Sequence, residues 1–293
     1  MKKWFMLFIP LFCIACQDSS VDKAMAPEVQ VESEKMVDAK EESETDSSSN
    51  IVTEEIEYTV DDKSFTGYLA YDASVSEQRP GVLVVHEWWG HNEYARTRAV
   101  QLAQMGYTAL ALDMYGSGKV ADHPDGAMAF MQEATKKPDE LKERFLKAKE
   151  ILQQQNSTDP EKIAAIGYCF GGGVVLNMAR AGVDLDGVAS FHGSLEPTFS
   201  TAPGEVSTRV LVLHGGDDAM ITTEQIDAFK AEMDAAGIDY EFISYPGAMH
   251  SFTNPGATEV GEKHNMPLAY NASADEQSWK KMSEFFAELW SEN

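Results

Sequence analysis

The stretch AAIGYCFGGGVV, residues 164–175, sets Cys169 in a glycine-dense turn between an apolar run and the start of a helix. Its centre, Gly167-Tyr168-Cys169-Phe170-Gly171, has the form G-x-C-x-G. This is the strand-to-helix elbow pattern G-x-S-x-G with sulfur in place of oxygen. So sharp a turn forces close contacts on either side of the central residue, and glycine at the flanking positions removes the Cβ atoms that would clash. The turn lifts the sulfur above the sheet and faces it toward the positive end of the following helix, which favours thiolate, the nucleophilic form. Phe170, next in the chain, offers its backbone N–H to an oxyanion. The pentapeptide alone also fits a small buried cysteine in a tight turn, so the flanking sequence has to decide between chemistry and packing.

Upstream, EEIEYTV and FTGYLAY alternate and are joined by DDKS, which predicts an antiparallel hairpin. GVLVVHE is a continuous apolar run suited to a strand buried on both faces. A helical stretch over about 94–105 leads to a second such run, YTALALDM. Downstream come KIAAIGY, the helix after Gly171, GVASFHG, RVLVLHG, a helix over about 223–236, YEFISYP and an amphipathic helix over about 274–290. The order predicts one α/β domain over residues 51–293, with a mostly parallel central sheet, helices on both faces and no internal repeat. Ligands of such sheets bind at the carboxyl ends of the strands. Four runs end there in chemically capable residues: His86-Glu87, Cys169, His214 to Asp218, and His250.

A nucleophile at Cys169 needs an acid and a histidine after it, and both follow in that order. VLHGGDDAMI offers Asp217 and Asp218; in hydrolases with this elbow the acid lies three residues after the first glycine of its loop, which selects Asp218. YPGAMHSF offers His250 on the loop after the last strand. With VVHEWWG, GYCFGGG, LHGGDD, YPGAMHSF and the closing YNASADEQSWKKMSEFF, the chain resembles the dienelactone hydrolase family of α/β-hydrolases. The resemblance implies hydrolysis of a small ester or lactone through a Cys169–His250–Asp218 triad and a covalent acyl-enzyme, with no metal or organic cofactor. It also implies that Glu87 helps control ionisation of the sulfur, and that the oxyanion sits between the backbone N–H groups of Trp88 and Phe170. Two rivals are thioester or amide cleavage on the same triad, and a surface protein whose hydrolase domain only binds a ligand. The family's namesakes hold a substrate carboxylate with arginines, one of them four residues after the histidine. Here that position is Asn254, and Arg144 is expected to pair with helix neighbours.

Other residues invite readings that the spacing does not support. HEWWGH lacks the H-E-x-x-H spacing because His91 comes one position late, and it follows a strand, so no metal is expected. His192 and His214 end neighbouring strands and are expected to scaffold loops by hydrogen bonding, His123 and His264 fall in polar loops, and Trp88 is expected to line the substrate pocket. The net charge of −25 disfavours a nucleic-acid partner and long-range attraction of an anionic substrate. The chain start, MKKWFMLFIPLFCIACQDSS, runs from two lysines through a short apolar stretch to Ala15 and Cys16, an export signal over residues 1–15. A small residue before a cysteine, then an abrupt polar switch, resembles the lipobox of bacterial lipoproteins. That implies lipidation of Cys16 and an exported protein anchored to a membrane on its periplasmic or cell-surface side. Cys13 and Cys16 are therefore not read as a redox C-x-x-C pair. Residues 17–50 hold ten acidic and three basic residues and no aromatic, the composition of a disordered, extended linker.

Overall fold

The computed structural model describes residues 50–291. The export signal, Cys16 and nearly all of the acidic stretch lie outside the described residues. β1 (Ile51–Val60) and β2 (Lys63–Asp72) form the expected antiparallel hairpin. The strands reach further into DDKS than the sequence suggests, leaving a two-residue turn of Asp61 and Asp62 at φ 47° and 60°. Two left-handed residues give the turn whose twist matches the strands, and aspartate tolerates that conformation better than most.

The sheet has eight strands in the order β1-β2-β4-β3-β5-β6-β7-β8. β4 (Thr108–Leu112) pairs antiparallel with β2. β3 (Arg79–Val85), β5 (Thr158–Tyr168), β6 (Gly187–Phe191), β7 (Arg209–Gly215) and β8 (Tyr240–Tyr245) continue from it in parallel. Alternation along each parallel strand feeds two cores. Val82, Val84, Ile166 and Leu213 pack with α1 (Glu93–Gln104) and α7 (Ala272–Leu289) on one face. Leu83, Val85, Val210 and Val212 pack on the other with α3 (Pro138–Gln153), α4 (Phe170–Arg180) and α5 (Thr223–Ala236). Each such side chain fully removed from water contributes about 1.5–3 kcal/mol, so the strands are held from both sides and their carboxyl ends become a fixed platform.

Two helices go beyond the sequence reading, α2 (Pro124–Thr135) and α6 (Ala257–His264), while α3 is the helix that carries Arg144. His123 accordingly does not lie in a featureless loop. Its ring accepts the Asp125 N–H as the cap of α2 and packs edge-on to His264, the last residue of α6.

Candidate active site

β5 runs straight into α4 through Cys169, which stands at φ 52° and ψ −113°. That is unfavourable backbone for a residue with a Cβ, and three contacts hold it. The Cys169 N–H donates to the Phe191 carbonyl at 3.0 Å and to His192 Nδ1 at 3.1 Å, while the Gly171 N–H donates to the His86 carbonyl. A Cβ on Gly167 would fall 2.1 Å from the Gly171 carbonyl oxygen, and one on Gly171 would fall 2.3 Å from the Val85 carbonyl oxygen. Both glycines are therefore required by backbone contact, as the elbow pattern suggests. The end of β3 is clamped beside them: His86 donates from Nδ1 to the Glu87 carbonyl and accepts the Met114 N–H at Nε2.

Asp218 follows β7 and His250 follows β8. The structure brings Asp218, not Asp217, to the histidine: His250 Nδ1 donates to Asp218 Oδ2 at 2.8 Å, and Asp218 Oδ1 accepts the Met220 N–H at 2.8 Å. Asp217 instead accepts the Gly247 N–H. With Nδ1 committed, His250 Nε2 is buried without a hydrogen-bond partner among the described residues, and both His250 and Cys169 line one cleft. Burial alone would pull the imidazole toward its neutral form. The Cys169 sulfur and the Asp218 carboxylate outweigh it and push the group up to about 10.

Glu87 is 1% exposed. Its Oε2 accepts from Asn254 Nδ2 at 2.6 Å, and its Oε1 is buried with no hydrogen-bond partner among the described residues. Burial raises this carboxyl above the usual range, against the Asn254 hydrogen bond and the charges of His250 and Arg98. Arg144 leaves the site altogether: it donates to the Met114 carbonyl and lies over the Phe65 ring.

His192 scaffolds as expected, but through more than its own loop. Nδ1 accepts from the Cys169 N–H, so Nε2 carries the hydrogen and donates to Thr253 Oγ1 at 2.7 Å. Thr253 Oγ1 meets the Tyr94 hydroxyl at 2.6 Å, and its carbonyl accepts from Arg98, which pairs with Asp275 at 2.6 Å. Burial, then the charges of His250 and Arg98, hold His192 well below the usual histidine range, so it stays neutral in this role. His214 shows no such hydrogen bond among the described residues and packs against the Phe242 ring. Arg98 escaped the sequence reading, although its signal is there: it shares the α1 stripe with Ala95, Ala99, Leu102 and Ala103, where a cation needs buried partners.

The cleft over Cys169 has a volume of about 310 Å³ and is bounded by Trp88, Phe170, Met128, Met131, Met220 and Met266 among others. Trp88 therefore lines the pocket, as expected. Tyr115 fixes the Trp88 turn by donating its hydroxyl hydrogen to the Trp88 carbonyl at 3.0 Å.

A largely parallel sheet with a cysteine elbow after β5, and an Asp–His pair beyond β7 and β8, defines an α/β-hydrolase. The chain belongs to the dienelactone hydrolase family, whose family model matches residues 65–290. Among solved structures it is similar to a dienelactone hydrolase-like promiscuous phosphotriesterase from metagenomic libraries. That protein is 33% identical with a TM-score of 0.75, and the match covers 82% of this chain and 99% of the other. An uncharacterized Caenorhabditis elegans protein is 36% identical over 153 residues, 51% of this chain and 94% of that one. An Aquifex aeolicus protein bearing the provisional name carboxymethylenebutenolidase is 29% identical over 195 residues, 65% of this chain and 84% of that one.

Proposed function

We propose that this hydrolase cleaves a small carboxylic ester or lactone through Cys169, His250 and Asp218. One observation carries the reading: His250, hydrogen-bonded through Nδ1 to Asp218, leaves Nε2 free at the cleft that Cys169 also lines. The Cys169 thiol passes its proton to His250 Nε2, attack of the sulfur on the carbonyl carbon forms the C–S bond, and the charge moved to the carbonyl oxygen is taken by the Trp88 and Phe170 N–H groups. Collapse breaks the ester C–O bond, and the alkoxide leaves with the His250 Nε2 proton. His250 then takes a proton from water, hydroxide attacks the thioester, and the C–S bond breaks to release the acid and restore the thiol. Asp218 orients the imidazole and supports its charge. Glu87, buried and hydrogen-bonded to Asn254, is the carboxyl assigned to controlling ionisation of the sulfur.

Chromogenic esters, lactones and anilides tested on wild type and Cys169→Ala decide the matter. Turnover of esters or lactones is expected, with an acyl adduct on Cys169 detectable by intact mass. Turnover of anilides alone would replace the ester reading with amide cleavage. Activity undiminished in Cys169→Ala would end the cysteine mechanism.

We further propose, on the sequence of residues 1–16 and the acidic run that follows, that the hydrolase is exported and held at a membrane by lipid on Cys16.

A further inference from the structure

The side chains around the cleft differ sharply from those of a site built for an anion. Trp88, Met128, Met131, Met220, Ile221 and Met266 form its walls, and its polar lining beyond the Cys169–His250 pair consists of neutral Ser194 and Gln225. Among the described residues lining it there is no lysine or arginine. The nearby cations are already committed. Arg98 gives its hydrogens to the Thr253 carbonyl, Asp275, Gln101 and Tyr94, and Arg144 donates to the Met114 carbonyl and forms an ion pair with Glu140 at 3.7 Å. The Asn254 amide donates inward to Glu87. The Asp218 carboxylate is already paired with His250, within a chain of net charge −25.

The cleft's only ionisable base, His250, is already paired with the Asp218 carboxylate at 2.8 Å, so a carboxylate lying against the methionine walls would lose its hydration with no lysine or arginine to replace it. An uncharged carbon chain gains on the same walls by displacing water. Methionine side chains are unbranched and polarisable, so four of them can close around chains of differing length and shape. Met128 and Met220, both 39% exposed, keep apolar surface open at the cleft, where an entering chain would cover it.

We infer that the cleft selects uncharged esters or lactones whose apolar acyl chain lies against the methionine walls, and discriminates against substrates bearing a carboxylate there. The inference rests on the ester or lactone hydrolase reading above.

The test compares p-nitrophenyl acetate, butyrate and hexanoate with the mono-p-nitrophenyl ester of glutaric acid, using the full chain. kcat/KM should rise about fourfold per added methylene, the equivalent of about 0.8 kcal/mol each. It should be at least about a hundredfold lower for the glutarate ester than for the hexanoate. Met128→Arg places a cation in the wall at a part-exposed position and should narrow that gap at least about tenfold. A glutarate ester cleaved as well as the hexanoate, or a flat acyl series, would overturn the inference. Binding of two unreactive ketones to Cys169→Ala, followed by tryptophan fluorescence, separates selectivity from chemistry. Octan-2-one bound at least about a hundredfold more tightly than 6-oxoheptanoate would uphold the cleft's selectivity even if no ester were hydrolysed, leaving only the hydrolase reading to fail. Equal binding of the two would sink the selectivity itself.

Discussion

Cys169 is held in its elbow by carbonyl and histidine acceptors whichever side chain it carries, so substitutions there test the sulfur more than the fold. Cys169→Ala should lower kcat/KM on a p-nitrophenyl ester by at least about a thousandfold with an unchanged urea midpoint. Adding His250→Ala should cost little more than the worse single change, because the two groups act on the same bonds. Additive losses would show that they do not. His250 makes a second prediction, in pH. Its folded-state value of about 10 lies above the ordinary 6.5. The folded protein therefore holds this proton more tightly than the unfolded chain, and the resulting stability is fully present below about 6.5 and lost as pH rises through about 10. Urea unfolding of wild type and His250→Gln at pH 7 and 10.5 should show the wild-type advantage shrinking with pH; an advantage that grows would contradict this assignment. The choice between Asp217 and Asp218 was legible from the spacing after Gly215, and it is Asp218 that meets His250. The link from Cys169 through His192 to Thr253 was not. It joins residues 61 positions apart across the β6 and β8 loops, and no local pattern encodes that pairing.

At the scale of elements, α1 and α7 reach the site through one buried ion pair. Arg98 and Asp275 have side chains 6% and 15% exposed, and the same Arg98 nitrogen also binds the Thr253 carbonyl, three residues beyond His250. Arg98→Met leaves Asp275 buried without its partner and the Thr253 carbonyl without its donor. It should reduce stability by about 3–5 kcal/mol in urea unfolding and lower kcat beyond what the unfolded fraction explains. Arg98→Lys should recover part of the stability. An Arg98→Met protein as stable as wild type would mean that the pair only balances its own desolvation. Elements with strong local punctuation were the legible ones. α5 begins at a reciprocal Thr222–Gln225 capping box and ends at left-handed Gly237, and its bounds match the sequence expectation. α3 was legible only as the helix around Arg144, without its bounds, because a buried Arg144 stands within the stripe of Leu141, Phe145, Ala148 and Leu152. α2 hid for a functional reason: only Ala127 and Ala134 are buried along it, while Met128 and Met131 face the cleft, so no single apolar face stands out.

Every residue assigned to the chemistry lies between Glu87 and His250, inside the described domain, whose sheet and two cores are complete from β1 to α7. The chain before Asn50 supplies none of them, and positions 17–50 carry ten acidic and three basic residues, the composition of a solvated spacer. Attachment and catalysis should therefore separate cleanly. Wild-type protein expressed in a bacterial host with a lipoprotein pathway should sediment with membranes and be released by detergent, its mature N-terminus being a modified Cys16. Cys16→Ser should appear in the soluble exported fraction with kcat/KM on a water-soluble ester within about twofold of wild type, since substitutions remote from a site and its packing leave it nearly unchanged. The comparison is informative in both directions. If Cys16→Ser still sediments with membranes, the lipid anchor is not what holds the protein there. If it is soluble but inactive, the leading segment takes part in the site, and confining the chemistry to the folded domain would be wrong.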